Sequence, residues 1–136
     1  MKMGEEGLVA SDIMSIGIGE QKIVLLCVDD EPLGLEVRKV VLQRQGYDVL
    51  TATSGREALK MFSENAITAV ILDYSMPEMN GGQVAAELKR LNPQVKILLL
   101  SAYLDLPDEV SQYVDARAVK ATSPTAFLSA LQQLLS

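Results

Sequence analysis

Four short apolar runs recur along this chain, and each ends where residues carrying chemistry begin. They are Ile23-Val24-Leu25-Leu26-Cys27-Val28, Ala69-Val70-Ile71-Leu72, Val95-Lys96-Ile97-Leu98-Leu99-Leu100 and Ala116-Arg117-Ala118-Val119. At or just past their C-terminal ends stand Asp29 and Asp30, Asp73, Ser101 and Lys120. Near-continuous apolar runs are what strands need when both sheet faces are covered by helices. Between the runs lie segments of helical period, and strand–helix alternation of this kind builds parallel α/β sheets. The pattern predicts a doubly wound parallel sheet of five strands, and in such a sheet of order 2-1-3-4-5 the first and third strands are neighbours. Ligands of such open sheets bind beyond the C-terminal strand ends, at the point where the strand order reverses.

The remaining elements follow from local signals. The first strand is expected over about Lys22–Val28. A first helix starts at Pro32, favoured in a first helical turn, with Leu33, Val37, Val40 and Val41 at helical spacing and Gly46 as its stop. Tyr47–Thr51 reads as the second strand. Ser54-Gly55-Arg56-Glu57 has the form of a capping box and opens a helix with Ala58, Leu59 and Phe62 inward. Strand three is expected over Ile67–Leu72. A third helix from near Gly82 buries Val84, Leu88 and Leu91 and ends at Asn92-Pro93. Val95–Leu100 is the fourth strand, Asp105–Val114 a short fourth helix with Pro107 in its first turn, and Asp115–Val119 the fifth strand. Ser123 and Pro124 then start a last helix that buries Phe127 or Leu128, Leu131 and Leu135. Residues 1–21 show no steady periodicity and are expected to be a flexible N-terminal extension to a domain at 22–136.

Composition narrows the function classes. A chain of 136 residues suits one domain with one core. A net charge of −6 without any basic stripe argues against direct nucleic-acid binding. No apolar run nears the roughly 20 residues that span a bilayer, and Glu5 and Glu6 interrupt any secretory h-region. Cytoplasm is therefore expected. The single Cys27 excludes an internal disulfide framework and, inside a strand, reads as a small buried hydrophobe. There is no histidine, so Ser–His and Cys–His nucleophile pairs and His-ligated zinc are absent.

At the predicted sheet edge, three carboxylates, a hydroxyl and an ammonium converge. Three carboxylates repel one another unless a cation joins them, and Mg²⁺ suits an all-oxygen donor set that must leave room for a phosphate. Taken singly, each member has a plainer meaning. Asp29-Asp30 alone is a solvated turn, Ser101 a capped strand end, and Lys120 a snorkelling lysine. The ordered set is more specific. Leu26-Cys27-Val28-Asp29-Asp30-Glu31-Pro32, and Leu72-Asp73-Tyr74-Ser75-Met76-Pro77-Glu78-Met79-Asn80-Gly81, followed by Leu100-Ser101-Ala102 and Lys120, resemble the site motifs of response-regulator receiver domains. The resemblance covers about Lys22–Ser136 and implies the CheY-like (βα)5 fold.

It also implies residue roles. Asp73 would accept a phosphoryl group from a sensor histidine kinase or phosphotransfer protein. Asp30, Asp73 and the backbone carbonyl of Ser75 would ligate Mg²⁺, with Asp29 acting largely through water. Lys120 would pair with a phosphoryl oxygen as a point charge, and Ser101 would turn its hydroxyl to another. Output would pass through the face made by the fourth helix, fifth strand and fifth helix to a downstream protein whose identity is open, as is homodimerisation. No effector segment follows Ser136, so a stand-alone switch with output by partner binding is expected, unless the sequence is a fragment of a longer protein.

Three features depart from the family pattern. Ala121 replaces the usual Pro after the Lys; a non-proline cis bond costs about 2.5–4 kcal/mol, so a trans Lys120–Ala121 bond and a rearranged loop to Ser123 are expected. Arg117 stands where Tyr or Phe is usual, within reach of Asp108, Glu109 or Asp115, or solvated. The Ser101–Lys120 stretch is also about one helical turn short. Ser75 and Tyr103 occupy the positions that tune acyl-phosphate lifetime, and Ser75 offers no group to position a water, which favours slow self-dephosphorylation. Two rivals compete with the phosphoacceptor switch: a pseudo-receiver that binds partners without phosphorylation, and a Mg²⁺-dependent phosphohydrolase with an Asp nucleophile. The latter class of haloacid-dehalogenase type needs a second Asp two residues after the first, where this chain has Ser75.

Overall fold

Side-chain alternation along the strands divides the core between two faces of one sheet. In β1 (Val24–Val28), Leu26 and Val28 join one buried cluster while Leu25 and Cys27 join the other. The same alternation separates Val70 and Leu72 from Ala69 and Ile71 in β3 (Ala69–Asp73). With β2 (Asp48–Ala52), β4 (Lys96–Ser101) and β5 (Ala116–Val119) these form a five-stranded sheet of order β2-β1-β3-β4-β5. Every neighbouring pair is parallel. The computed structural model describes residues 22–102, 106–120, 123 and 125–136. The expected extension over 1–21, the Lys120–Ala121 bond, Tyr103 and Pro124 lie outside the described residues.

Among the described residues five helices cover the sheet: α1 (Pro32–Arg44), α2 (Gly55–Glu64), α3 (Gly81–Leu91), α4 (Asp108–Ser111) and α5 (Leu128–Leu135). Ala58 and Phe62 of α2, Val84 and Leu88 of α3, and Val110 of α4 complete one cluster. Leu35 and Leu42 of α1 and Leu131 of α5 complete the other. This is the three-layer, doubly wound arrangement that the alternation of apolar runs predicts. Gly46, at φ +97°, turns the chain from α1 into β2 in a conformation open to glycine. At α2, Ser54 Oγ accepts from the Glu57 N–H at 3.1 Å, as the capping pattern predicts. The Glu57 carboxylate, however, turns to the Thr53 N–H rather than to Ser54's own.

Four expectations need correction. The inward face of α1 is Leu35, Arg38 and Leu42; of the expected Leu33, Val37, Val40 and Val41, only Val41 packs against the core, and Leu33 is 84% exposed. Two apolar stripes compete on this helix, and the one that wins carries Arg38 to a buried carboxylate. Leu91 is also exposed, at the rim of an open cleft beside Val24 and Phe62 on the N-terminal edge of the sheet. Finally, α5 begins at Leu128 rather than after Ser123. Bonds from the Ala126 N–H to Ser123 O and from the Leu128 N–H to Thr125 O make tight three-residue turns first. Among the described residues the α-helical bonding starts with the Leu131 N–H to Phe127 O. The fourth helix is likewise shorter than expected, at four residues.

The orientation of α1 is testable by truncation. Leu42→Ala, at a fully buried position, should cost about 2–5 kcal/mol in urea unfolding. Leu33→Ala should stay within about 0.5 kcal/mol. Equal costs would refute the orientation.

Candidate functional site

The C-terminal strand ends bring the candidate residues together. A bond from the Asp29 N–H to Ala52 O anchors the end of β1 beside β2. Asp73 is the last residue of β3 and pairs in register with Leu100 of β4. Ser101 ends β4, is buried, and pairs with Val119 of β5. Lys120 follows directly, its N–H bonded to Ser101 O at 2.7 Å. One carboxylate oxygen from each of Asp29, Asp30 and Asp73 lies within 4.8 Å of the others.

Asp29 is fully buried and both its oxygens are engaged. Oδ1 accepts from the Glu31 N–H at 2.9 Å. Oδ2 lies 2.9 Å from Lys120 Nζ and accepts from Arg38 Nη2 at 3.0 Å. Burial pushes this carboxyl up, but the Glu31 amide, Lys120 and Arg38 more than offset it, holding Asp29 below the ordinary carboxylate range. Asp73, 2% exposed, behaves oppositely. Burial pushes it up, Asp29 adds repulsion, and Lys120 with the Ser75 amide offsets only part, so it stays above the usual range. Lys120 Nζ is 3.1 Å from Asp73 Oδ2, an ion pair off the direction of a hydrogen bond. That buried oxygen therefore keeps lone-pair capacity. For Lys120, burial disfavours the charge, but the two carboxylates outweigh it and raise its pKa.

Ser75, Asp30 and Lys120 keep some contact with solvent while Asp29, Asp73 and Ser101 are buried, so the site is a shallow acidic dish with a closed floor. Its candidate ligands are all oxygens, and one buried carboxylate oxygen has no aligned donor among the described residues. These residues fit a hard, oxygen-bound divalent cation such as Mg²⁺. The loop after Asp73 is held by the Tyr74 N–H to Leu100 O and the Gly81 N–H to Tyr74 O. It ends in a reciprocal Asn80–Gln83 capping box that opens α3. Glu78 within it has φ 69°, a left-handed conformation that costs a non-glycine residue about 1 kcal/mol. At Gly81, a Cβ would meet the Asp73 carbonyl oxygen and Tyr74 Cα at 2.7 Å, so only glycine lets α3 approach the loop this closely.

The family comparison agrees with this geometry. The sequence pattern of the response regulator receiver domain matches residues 25–132. The chain belongs to that family. The receiver domain is 38% identical over 87 residues to the transcriptional regulatory protein GlrR of Escherichia coli K12, covering 64% of this chain and 20% of that protein. It thus spans about a fifth of that relative. Among solved structures, the Thermotoga maritima response regulator TrrA in complex with Mg²⁺-BeF is 36% identical, with a TM-score of 0.76 over 82% of this chain and 98% of that one. TrrA in complex with the histidine kinase ThkA is 38% identical, TM-score 0.76, covering 84% and 99%.

Arg38 was not among the residues singled out by sequence. Its signal was the Leu35–Arg38–Leu42 spacing, an arginine in line with two leucines on a helix. Arg117, outside the site, lies toward α4 with Nη1 3.5 Å from Ser111 Oγ. Asp115, one of its expected neighbours, is engaged by Lys89 Nζ and the Ile97 N–H, both at 2.8 Å. Cys27 lies beneath the site in the core, where burial above all pushes its thiol up to about 12.

Two outcomes check this site. Gly81→Ala should destabilise the domain by about 1–3 kcal/mol through overpacking, measured by denaturant unfolding; a neutral effect would show that the loop can move away. Cys27 should ignore a thiol reagent at neutral pH in the native state and react fully on unfolding, whereas rapid native labelling would contradict its burial.

Proposed function

We propose that the receiver domain is a phosphoacceptor switch of two-component signalling, with Asp73 as the acceptor. The observation that carries this is the buried Asp73 carboxylate, with one oxygen lacking an aligned donor among the described residues, set among two further carboxylates and Lys120. Similarity to a regulator solved with Mg²⁺-BeF, and to the same regulator solved with a histidine kinase, supports both the cation and the donor.

In this role an Asp73 oxygen attacks phosphorus, the new P–O bond forms, and the P–N bond to the kinase imidazole breaks. Bound Mg²⁺ supplies charge neutralisation for the phosphoryl oxygens. Asp30, Asp73 and the Ser75 carbonyl would hold it, while Asp29, whose oxygens are already engaged, acts through water. Lys120 leaves its carboxylates to meet a phosphoryl oxygen, and Ser101 offers its hydroxyl to another. The domain modifies and demodifies itself rather than turning over a separate substrate.

Signal output runs through α4, β5 and α5 to a protein partner. Ser101 ends β4 and is paired with β5, which links the site to that face. The short α4 and Arg117 make the relay here differ in detail from the family pattern. The domain binds no nucleic acid directly and works in the cytoplasm; among the described residues, no helix is long and apolar enough to cross a membrane. Residues 22–136 form the domain, with 1–21 as an extension.

Acetyl phosphate or beryllofluoride with Mg²⁺ should give an adduct in the wild type and none in Asp73→Asn, read by mass or by amide NMR shifts. Absence of any adduct in the wild type would favour the pseudo-receiver, and sustained phosphate-ester turnover the phosphohydrolase. Because Ser75 positions no water, the acyl phosphate should outlast minutes in the isolated protein; decay within seconds would contradict that assignment.

A further inference from the structure

Arg38 is a cation that the proposed chemistry does not use. It lies on the core-facing stripe of α1 between Leu35 and Leu42 and is 9% exposed. A guanidinium there loses hydration, and only a close counter-charge compensates. That counter-charge is Asp29, nine residues earlier, with Nη2 at 3.0 Å from Oδ2. Nη1 is buried without a hydrogen-bond partner among the described residues, so packing alone is a poor account of the residue.

The charge balance of the dish gives Arg38 a consequence. Asp29, Asp30 and Asp73 bring three negative charges. Lys120 is shared between Asp29 and Asp73, at 2.9 and 3.1 Å. Arg38 pairs with Asp29, so it offsets that carboxylate while leaving Asp73 to Lys120 and to a metal. A divalent cation entering among these oxygens meets two fixed positive charges rather than one.

We propose that Arg38 is a positioning residue for Asp29 that lowers the affinity of the carboxylate trio for Mg²⁺. It does so by supplying a permanent counter-charge, and by occupying Asp29 Oδ2 so that this carboxylate does not become an inner ligand. The site then holds its cation loosely and takes it up together with a phosphoryl group. This rests on the Mg²⁺ site proposed above.

The test is a Mg²⁺ titration of the full chain, followed by backbone amide NMR shifts at fixed pH and ionic strength. Arg38→Met keeps the length of the side chain and removes its charge; it should bind Mg²⁺ more tightly, by on the order of ten-fold. Arg38→Lys restores the charge and should return affinity toward that of the wild type. A merely structural arginine predicts the opposite sign, since loss of its hold on Asp29 would loosen the site and weaken binding. Unchanged or weaker Mg²⁺ affinity in Arg38→Met overturns the proposal. If that variant does not fold, the comparison moves to the Asp29→Asn background, where no buried carboxylate is left unpaired. There Asp29→Asn/Arg38→Met should again bind more tightly than Asp29→Asn, and equality or reversal is equally fatal. Absence of site-specific shifts in the wild type would sink the Mg²⁺ site itself, and this role with it. Binding in the wild type without tightening in the variant sinks only the role of Arg38.

Discussion

A single ammonium group ties together three strand ends. Lys120, at the end of β5, lies 2.9 Å from Asp29 at the end of β1 and 3.1 Å from Asp73 at the end of β3. Carboxylates this buried could not share one edge of a sheet without compensation, because desolvation and mutual repulsion act in the same direction. The surrounding structure answers that constraint piece by piece. The Glu31 N–H takes one oxygen of Asp29, Arg38 reaches the other from α1, and the Ser75 N–H serves Asp73. Compensation is unequal, and the inequality is chemically useful. Asp29 is held below the ordinary carboxylate range, while Asp73 retains an oxygen with no aligned donor among the described residues.

The core below makes that arrangement durable. Parallel strands with both faces buried leave no freedom to slip in register, since a slip of one residue would exchange the two apolar clusters. The ends of β1, β3 and β4 therefore stay level, and so do the residues just beyond them. Gly81 extends this control to the loop after Asp73, because α3 abuts the loop backbone at a distance that no other residue permits. The left-handed Glu78 lies in the same short segment. The close approach at Gly81 and the left-handed Glu78 thus both lie in the segment that follows the proposed acceptor.

Much of this was legible in the residue order. The apolar runs and the helical periods between them dictate a parallel sheet. Asp29, Asp30, Asp73, Ser101 and Lys120 sit at its strand ends, and the structure gathers them at one edge. What misled was helical rotation. On α1, Leu33, Val37 and Val40 form a stripe as regular as Leu35 and Leu42, and periodicity does not rank two stripes when one of them includes an arginine. Leu91 and the start of α5 failed for a related reason. Helix ends are decided by where neighbouring elements stop covering them and by local turn bonding, neither of which is encoded in spacing.

The sequence by itself determined the fold class and the identity of the groups at the binding edge, because burial on both sheet faces demands long apolar runs and the polar groups of the edge stand where those runs end. Only the tertiary structure decided how those groups share their charge. Partnership among Asp29, Asp73, Lys120 and Arg38 depends on distances between residues from three strands and a helix, and electrostatic energy in a buried site changes steeply with such distances. Arg38 shows the difference most clearly: as a letter it is a polar residue on an amphipathic helix, and in the folded chain it is the second cation on a fully buried carboxylate.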